Sequence, residues 1–185
     1  QTSRRPQRRP TESAGAREGR GIVVERGRKG AVQPAALNSG TIVEVRDLFS
    51  ATPARLKFMK TERAENMAIS ETVRRLAMAH PEIGFVLQTG ERAALHLPRG
   101  EATSESLLER LGRIMGAEFM DDALEVKGGG SGPSGPMRVF GFAGLPTLHR
   151  QDSGQQYLFV NGRPVKDRLL IGAVKAAYGD LIPKG

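Results

Sequence analysis

Residues 40–58 read GTIVEVRDLFSATPARLKF, and the character of the chain changes in the middle of this stretch. Thr41 to Val45 is dense in β-branched side chains, which predicts a β-strand. The pattern breaks at Asp47-Leu48-Phe49. Thr52-Pro53 then places an N-cap residue before a proline at the first helical position. The stretch therefore predicts a strand followed by a short helix that runs through Met59.

A second informative stretch, residues 156–168, reads QYLFVNGRPVKDR. Residues 157–160 predict a strand, Asn161-Gly162 a tight turn, and residues 163–165 the returning strand. A helix then begins at Lys166 or Asp167 and keeps an apolar side as far as Tyr178. We call residues 160–168 the basic corner, because the turn and the helix start together carry Arg163, Lys166 and Arg168.

The rest of the chain alternates short strands and helices. Strands are predicted at 21–25, 31–33, 83–87, 93–97, 123–127 and 138–142, and helices at 61–80 and 103–116. Residues 128–136, GGGSGPSGP, predict a flexible surface turn between two strands. This order of elements predicts an α/β fold of the two-layer α+β kind.

Positive charge is concentrated at the start of the sequence. Residues 1–30 hold nine Lys and Arg against three Glu, which is +6 of the net +8. Residues 1–20 have almost nothing to bury, so we expect a disordered basic arm or loop. A basic balance favours polyanions as partners, whereas a solvated loop is the alternative explanation of the same charges.

No complete catalytic or metal site is visible in the sequence. Cysteine is absent, and the three histidines, His80, His96 and His149, lack the spacing of metal ligands. We therefore expect no metal site and no self-contained hydrolase. The longest apolar run, residues 169–174, is too short to cross a bilayer, so we expect a cytoplasmic chain with no membrane partner.

The basic corner is the best candidate binding site. Phosphate contacts need cations that converge without the shape that base readout demands. Arg163, Lys166 and Arg168 surround one hairpin and one helix start, which favours such convergence. A solvated turn remains the alternative.

The two stretches together resemble the MutL family. Residues 40–49 and 52–58 resemble its signature GT-x-V-x-V-x-DLF-x-x-TPAR-x-KF, and residues 156–168 resemble Q-Y-x-F-V-N-G-R-x-V-x-D. The resemblance runs from about Gly40 to Tyr178.

The resemblance implies a bacterial-type DNA mismatch repair protein. Its family has a GHKL ATPase domain followed by a transducer with the ribosomal protein S5 domain 2-like fold. Residues 21–50 would be the last strands of the ATPase sheet, and residues 51–185 most of the transducer. The implied partners are double- and single-stranded DNA, a MutS-type mismatch recognition protein and a second copy of the intact protein. The implied role is an ATP-dependent matchmaker that couples mismatch recognition to strand incision and excision, near the bacterial nucleoid.

The resemblance also implies site residues. Gly40 and Thr41 match the motif that helps form the adenine pocket, with ATP and Mg bound in the intact protein. Arg168 matches a DNA-contacting arginine, with Arg163 and Lys166 as neighbours. Further DNA-contact candidates lie near the TPAR helix, where a solvated face is equally plausible: Arg55, Lys57 and Lys60.

The sequence departs from the family in informative ways. Ser50-Ala51 stands where the family usually has an aromatic residue and Asn. The magnesium-binding Asn, the catalytic Glu, the Asp-x-Gly motif and the glycine-rich lid are absent, as is the lysine that reaches the γ-phosphate. We therefore expect a fragment, from the end of the ATPase domain into the transducer, that does not hydrolyse ATP alone.

Three other protein classes compete with this interpretation. A gyrase or topoisomerase-like transducer shares the architecture but carries a different Gln-Thr-Lys signature. An S5-like RNA-binding module would bind structured RNA without ATP. A small-molecule kinase of related fold is disfavoured because no glycine-rich phosphate loop joins a helix.

Overall fold

The computed structural model describes residues 19–37, 39–90, 92–133, 135–148, 154–179 and 181. The basic arm predicted at residues 1–20 lies outside them, apart from its last two residues, and so does His149. Backbone contacts divide the chain into two units, Gln1–Thr61 and Glu62–Gly185.

The first unit contains two short antiparallel strand pairs and one short helix. Its elements are β1 (Gly19–Gly21), β2 (Val24–Glu25), β3 (Arg28–Lys29), β4 (Gln33–Ala35) and α1 (Pro53–Leu56). The β1–β4 pair encloses the β2–β3 pair in sequence. Gly19 allows the close approach of β1 and β4, because a Cβ there would stand 2.7 Å from the Ala35 carbonyl oxygen.

The strand predicted at residues 41–45 is wrong. Thr41 forms a single isolated bridge, and residues 42–46 have no regular structure. Val43 and Val45 are 68% and 61% exposed, so this β-branched run has no packed face in the described chain. A strand needs a neighbour that shares its hydrogen-bond ladder, and side-chain preference alone supplies none.

A tight turn leads into α1. Asp47 and Phe49 have φ of 48° and 69°, a left-handed conformation that is rare for an aromatic residue. Thr52 is the N-cap by position but its side chain makes no capping bond, and Pro53 occupies the first turn as predicted. The helix ends at Leu56, before the predicted end at Met59.

The second unit alternates helices with three antiparallel hairpins. Its elements are α2 (Glu62–Ala79), β5 (Phe85–Thr89), β6 (Arg92–Leu97), α3 (Ser104–Met115), α4 (Ala117–Asp121), β7 (Ala123–Gly132), β8 (Gly135–Gly144), a 3₁₀ turn (Pro146–Leu148), β9 (Leu158–Val160), β10 (Arg163–Val165) and α5 (Arg168–Ala177). The hairpins are β5–β6, β7–β8 and β9–β10. Sequence patterns did not predict α4 or the 3₁₀ turn. None of the described helices is long and apolar enough to cross a membrane.

The flexible turn predicted at residues 128–136 is also wrong. The β7–β8 ladder continues through the glycines as far as the Gly132–Gly135 pair. A Cβ at Gly129 would lie 3.0 Å from the Met137 carbonyl oxygen, so the missing side chain is what lets the two strands approach there. The composition of this segment suggested a loop, but a register already set by the preceding pairs extends the ladder.

A small core joins α2, α3, α4 and β6 in the second unit. Its buried apolar side chains are Ala77, Met78, Leu97 and Phe119. Arg110 on α3 is also buried, at 3% exposure. Its Nη2 donates to the carbonyl oxygens of Pro81, Ile83 and Pro98 at 2.8, 3.0 and 2.7 Å. Arg110 thus ties α3 to the turn after α2 and to the end of β6.

Burial of Arg110 lowers the pKa of its guanidinium, and the nearby Arg113 lowers this pKa further, while Glu82 acts in the opposite direction. Nη1 is buried with no hydrogen-bond partner in the described chain. The hydrogen bonds that compensate the charge in the described chain therefore come from backbone carbonyls on one nitrogen, while Glu82 acts only through its charge.

Candidate nucleic-acid interface

The β9–β10 hairpin presents the first cation of the basic corner. Arg163 lies opposite Val160 in the ladder, so Asn161 and Gly162 form the whole connection. Their φ angles are 49° and 75°, which defines a type I′ turn, the turn that Asn-Gly favours. The predicted tight turn is confirmed, and it fixes where the Arg163 side chain leaves the backbone.

The first turn of α5 presents the other two cations. Asp167 is the N-cap, and its Oδ1 accepts hydrogen bonds from the amides of Leu169 and Leu170, both at 2.9 Å. This capping carboxylate satisfies two of the free amides at the helix start. Lys166 immediately precedes the cap and Arg168 is the first helical residue, so both lie at the positive end of the helix dipole.

All three cations of the basic corner are exposed. Within the part of the chain that the structure describes, Arg163, Lys166 and Arg168 form no ion pair. The carboxylate next to them in sequence, Asp167, is engaged by helix amides. A cation at a helix N-terminus is disfavoured by the dipole, so this arrangement concentrates positive potential rather than relieving it. Such a surface suits a multivalent anion.

A polar cluster anchors the hairpin to α2. The Glu71 carboxylate accepts a long 3.4 Å hydrogen bond from the Tyr157 hydroxyl and forms a 2.6 Å ion pair with Arg75. The Arg75 guanidinium lies 4.8 Å from the centroid of the Tyr157 ring, within cation–π range. Burial raises the pKa of Tyr157, and the Glu71 charge raises it further, although Arg75 and Arg74 act in the opposite direction.

The far end of α5 is anchored as well. The Tyr178 hydroxyl donates to the Gly144 carbonyl oxygen at 2.6 Å, which attaches the C-terminal end of α5 to the end of β8. Burial raises the pKa of Tyr178. The strand that enters the basic corner and the helix that leaves it are therefore both attached to the body of the second unit.

The remaining predicted site residues belong to the first unit. Gly40 has φ of 80° with open space around its Cβ position, and the exposed Thr41 follows it. The candidates near the TPAR segment, Arg55, Lys57 and Lys60, are all exposed. Arg55 also lies 6.0 Å from the centroid of the Phe49 ring, at the limit of a cation–π contact.

Sequence reasoning missed the residues that position the corner. The Glu71–Arg75 pair could have been found from its i, i+4 spacing on a predicted helix. Its contact with Tyr157 could not, because the two segments are far apart in sequence. In the described residues no group of three or more His, Asp or Glu side chains is arranged to hold a metal ion.

Comparisons with known proteins agree on one family. The profile of the family described as DNA mismatch repair protein, C-terminal domain, matches residues 111–185. MutL of Sinorhizobium medicae is 50% identical over 175 residues, which are 95% of this chain and 28% of that protein. MutL of Phenylobacterium zucineum is 53% identical over 169 residues, or 90% of this chain and 26% of that protein.

Solved structures agree with the sequence relatives. The Aquifex aeolicus MutL ATPase domain complexed with ADP is 26% identical with a TM-score of 0.65, covering 90% of this chain and 61% of that one. The N-terminal domain of a DNA repair protein gives a TM-score of 0.74 at 20% identity, covering 91% of this chain and 54% of that one, which shows the fold.

The fold and the similar solved structures define the class of protein. It is a mixed α/β segment of the GHKL ATPase and S5-like kind, as predicted. The chain belongs to the MutL family of DNA mismatch repair proteins, and it matches the N-terminal region of that family. It spans 28% of the length of the Sinorhizobium relative.

Proposed function

We propose that this segment grips the sugar–phosphate backbone of DNA through the basic corner and transmits the nucleotide state of the intact MutL-type protein to that grip. The observation that carries the proposal is the set of three exposed cations, Arg163, Lys166 and Arg168. They flank one type I′ turn and one helix start, and the intervening carboxylate of Asp167 is already bound to helix amides.

The chemistry of the basic corner suits phosphates rather than base edges. Each phosphate contact releases counterions, and the logarithm of affinity falls by about 0.9 per contact for each decade of salt. Three contacts therefore give a slope of about −2.7, and a fourfold rise in salt weakens binding about fortyfold. No base-specific geometry is required of side chains that only neutralise the backbone.

Nucleotide binding belongs to the first unit in this proposal. The Aquifex relative was solved with ADP. Gly40 and Thr41 fit one edge of an adenine pocket, since the left-handed glycine leaves open space and the exposed hydroxyl can bond a base directly or through water. The described residues provide no group of three or more His, Asp or Glu side chains that could hold magnesium. When bound, ATP would supply the binding energy that switches the intact protein between states.

At the level of the whole protein, we propose the matchmaker role of the family. Residues 21–50 would complete the ATPase sheet and residues 51–185 would form most of the S5-like transducer. Arg55, Lys57 and Lys60 would add backbone contacts to those of the basic corner. The intact protein would pair with a second copy, receive the mismatch signal from a MutS-type protein and act on double- and single-stranded DNA in the bacterial cytoplasm, near the nucleoid.

The experiment is a binding measurement with one charge reversed. Arg168→Glu is expected to weaken duplex DNA binding at least tenfold at low salt and to reduce the salt slope by about 1 or more. The matched control is Arg113→Gln, which removes an exposed cation on α3. This variant should bind DNA as the unaltered chain does. Circular dichroism checks that both variants fold.

The same assay separates DNA from RNA. A structured RNA at the same salt concentration should bind no more tightly than duplex DNA of equal length. Equal DNA binding by Arg168→Glu and the unaltered chain would remove Arg168 from the site. Markedly tighter RNA binding would favour the S5-like RNA module.

A further inference from the structure

The β2–β3 hairpin of the first unit contains an unusual turn. Its strands pair Glu25 with Arg28, which leaves Arg26 and Gly27 as the two-residue connection. Their φ angles are 48° and 81°, the same type I′ geometry that Asn161 and Gly162 adopt in the β9–β10 hairpin. One hairpin uses the favoured Asn-Gly, whereas the other places an arginine in the left-handed position.

The arginine is the less stable choice for this conformation. Asn tolerates the left-handed region because its short side chain bonds locally, but a long side chain with a full Cβ gains nothing there. Arg26 is exposed and forms no hydrogen bond, ion pair or ring contact within the described chain. No described residue of its unit contacts the Arg26 side chain to offset the strain, and residues held in such conformations cluster at sites where a side chain acts on a ligand.

Arg26 does not stand alone at this tip. Arg28 and Lys29 follow on β3, and both are exposed. Because successive side chains alternate, these two cations lie on opposite faces of the ribbon. The amide of Gly30 donates to the Val23 carbonyl oxygen at 2.8 Å, which continues the hairpin beyond its last strand pair and fixes its base.

We propose that residues 26–29, which we call the Arg-Gly tip, form a second phosphate-contacting element for the backbone of duplex DNA. Cations at the tip and on both faces suit a narrow ribbon that meets a polyanion end-on, because no single face must be presented. The proposal rests on the DNA binding proposed above, but it uses none of the residues of the basic corner.

Arg26→Asn is the decisive variant. It removes the cation and also installs the residue that the turn prefers, so any loss of DNA binding cannot be ascribed to unfolding. We expect duplex affinity to fall about three- to tenfold and the salt slope to fall by about 0.9, with a melting temperature equal to or above that of the unaltered chain. Arg26→Lys keeps both charge and strain and should retain the unaltered affinity and slope.

The controls separate this proposal from the previous one. Arg113→Gln removes an unrelated exposed cation and should leave the slope unchanged. Combined with Arg168→Glu, Arg26→Asn should lower the slope further, because the two elements contact separate phosphates. Measuring ATP binding in the same buffers shows whether the Arg-Gly tip contacts the phosphates of DNA or those of ATP. If Arg26→Asn lowers the affinity for ATP but leaves the affinity for DNA unchanged, the assignment to DNA is overturned.

Two further outcomes show whether this inference fails alone or together with the proposed function. If the unaltered chain binds duplex DNA and Arg168→Glu weakens it, but Arg26→Asn binds with the unaltered slope, the Arg-Gly tip is not a contact and only this proposal fails. If the unaltered chain does not bind duplex DNA at all, the proposed function fails first and this inference fails with it.

Discussion

Replacing Arg110 with methionine tests how much its buried hydrogen bonds stabilise the second unit. The substitution keeps a long flexible side chain but removes the nitrogen that donates to three carbonyl oxygens at 2.7 to 3.0 Å. A hydrogen bond to a charged group contributes about 1.5–3 kcal/mol. The Pro81 carbonyl keeps the amide of Gly100 at 2.9 Å, so its loss is smaller than that of the other two.

The gain from no longer burying a charge offsets part of this loss, and water reaches some of the freed carbonyls. We therefore expect Arg110→Met to lower the free energy of unfolding by about 2–4 kcal/mol, a large share of a typical domain's stability. In urea, with an m-value of about 2 kcal/mol per molar, the unfolding midpoint should fall by about 1–2 M.

Arg110→Lys distinguishes the cause. All three acceptors surround one nitrogen, and an ammonium carries three donors where Nη2 carries two. The lysine variant should therefore lose clearly less stability than the methionine variant. A midpoint shift of less than about 0.3 M for Arg110→Met, or equal destabilisation by lysine and methionine, would contradict this role of Arg110.

Three further predictions concern the tyrosines that attach the basic corner to the second unit, the cation beside one of them, and the proposed adenine contact of Thr41. The pKa values of Tyr157 and Tyr178, the two tyrosines of the sequence, are raised above 10.0. Their contribution to stability is therefore complete below pH 10 and is lost as pH rises through the folded-state values; tyrosinate absorbance should show two late titrations, and Phe at both positions should flatten the alkaline loss of stability. Arg75→Ala removes the cation over the Tyr157 ring and should cost about 1–2 kcal/mol and raise the Tyr157 pKa further; a double-mutant cycle with Tyr157→Leu measures the coupling, and a coupling near zero would contradict the contact. Thr41→Val in the intact protein should weaken nucleotide binding severalfold, as a nucleotide titration would show, whereas unchanged affinity would make Thr41 structural only.

The turn and the helix start of the basic corner were predictable because local rules decide them. Asn161-Gly162 specifies its turn from two residues, and Asp167 caps the helix through bonds two and three residues away. No partner from elsewhere in the chain is needed to form the turn that precedes Arg163 or the helix start that carries Arg168. Sequence patterns therefore gave the correct elements here.

The sequence-based predictions were wrong where the local structure depends on partners that are distant in sequence. The β-branched run after Thr41 has strand preference but no ladder partner in the described chain. The glycines at 128–132 have the composition of a loop but join a ladder that the preceding residues set in register. The burial of Arg110 could not be predicted, because an arginine among helical leucines is expected to be solvated until the carbonyls around it are known.

The salt dependence of duplex DNA binding is the sharpest test of phosphate contact by the basic corner. We would measure affinity across a salt series for the unaltered chain and for the triple variant Arg163→Gln/Lys166→Gln/Arg168→Gln. Backbone binding by the basic corner predicts that the log–log slope shrinks by about 2.7 while the fold is preserved. An unchanged slope in a folded triple variant would show that DNA binds elsewhere.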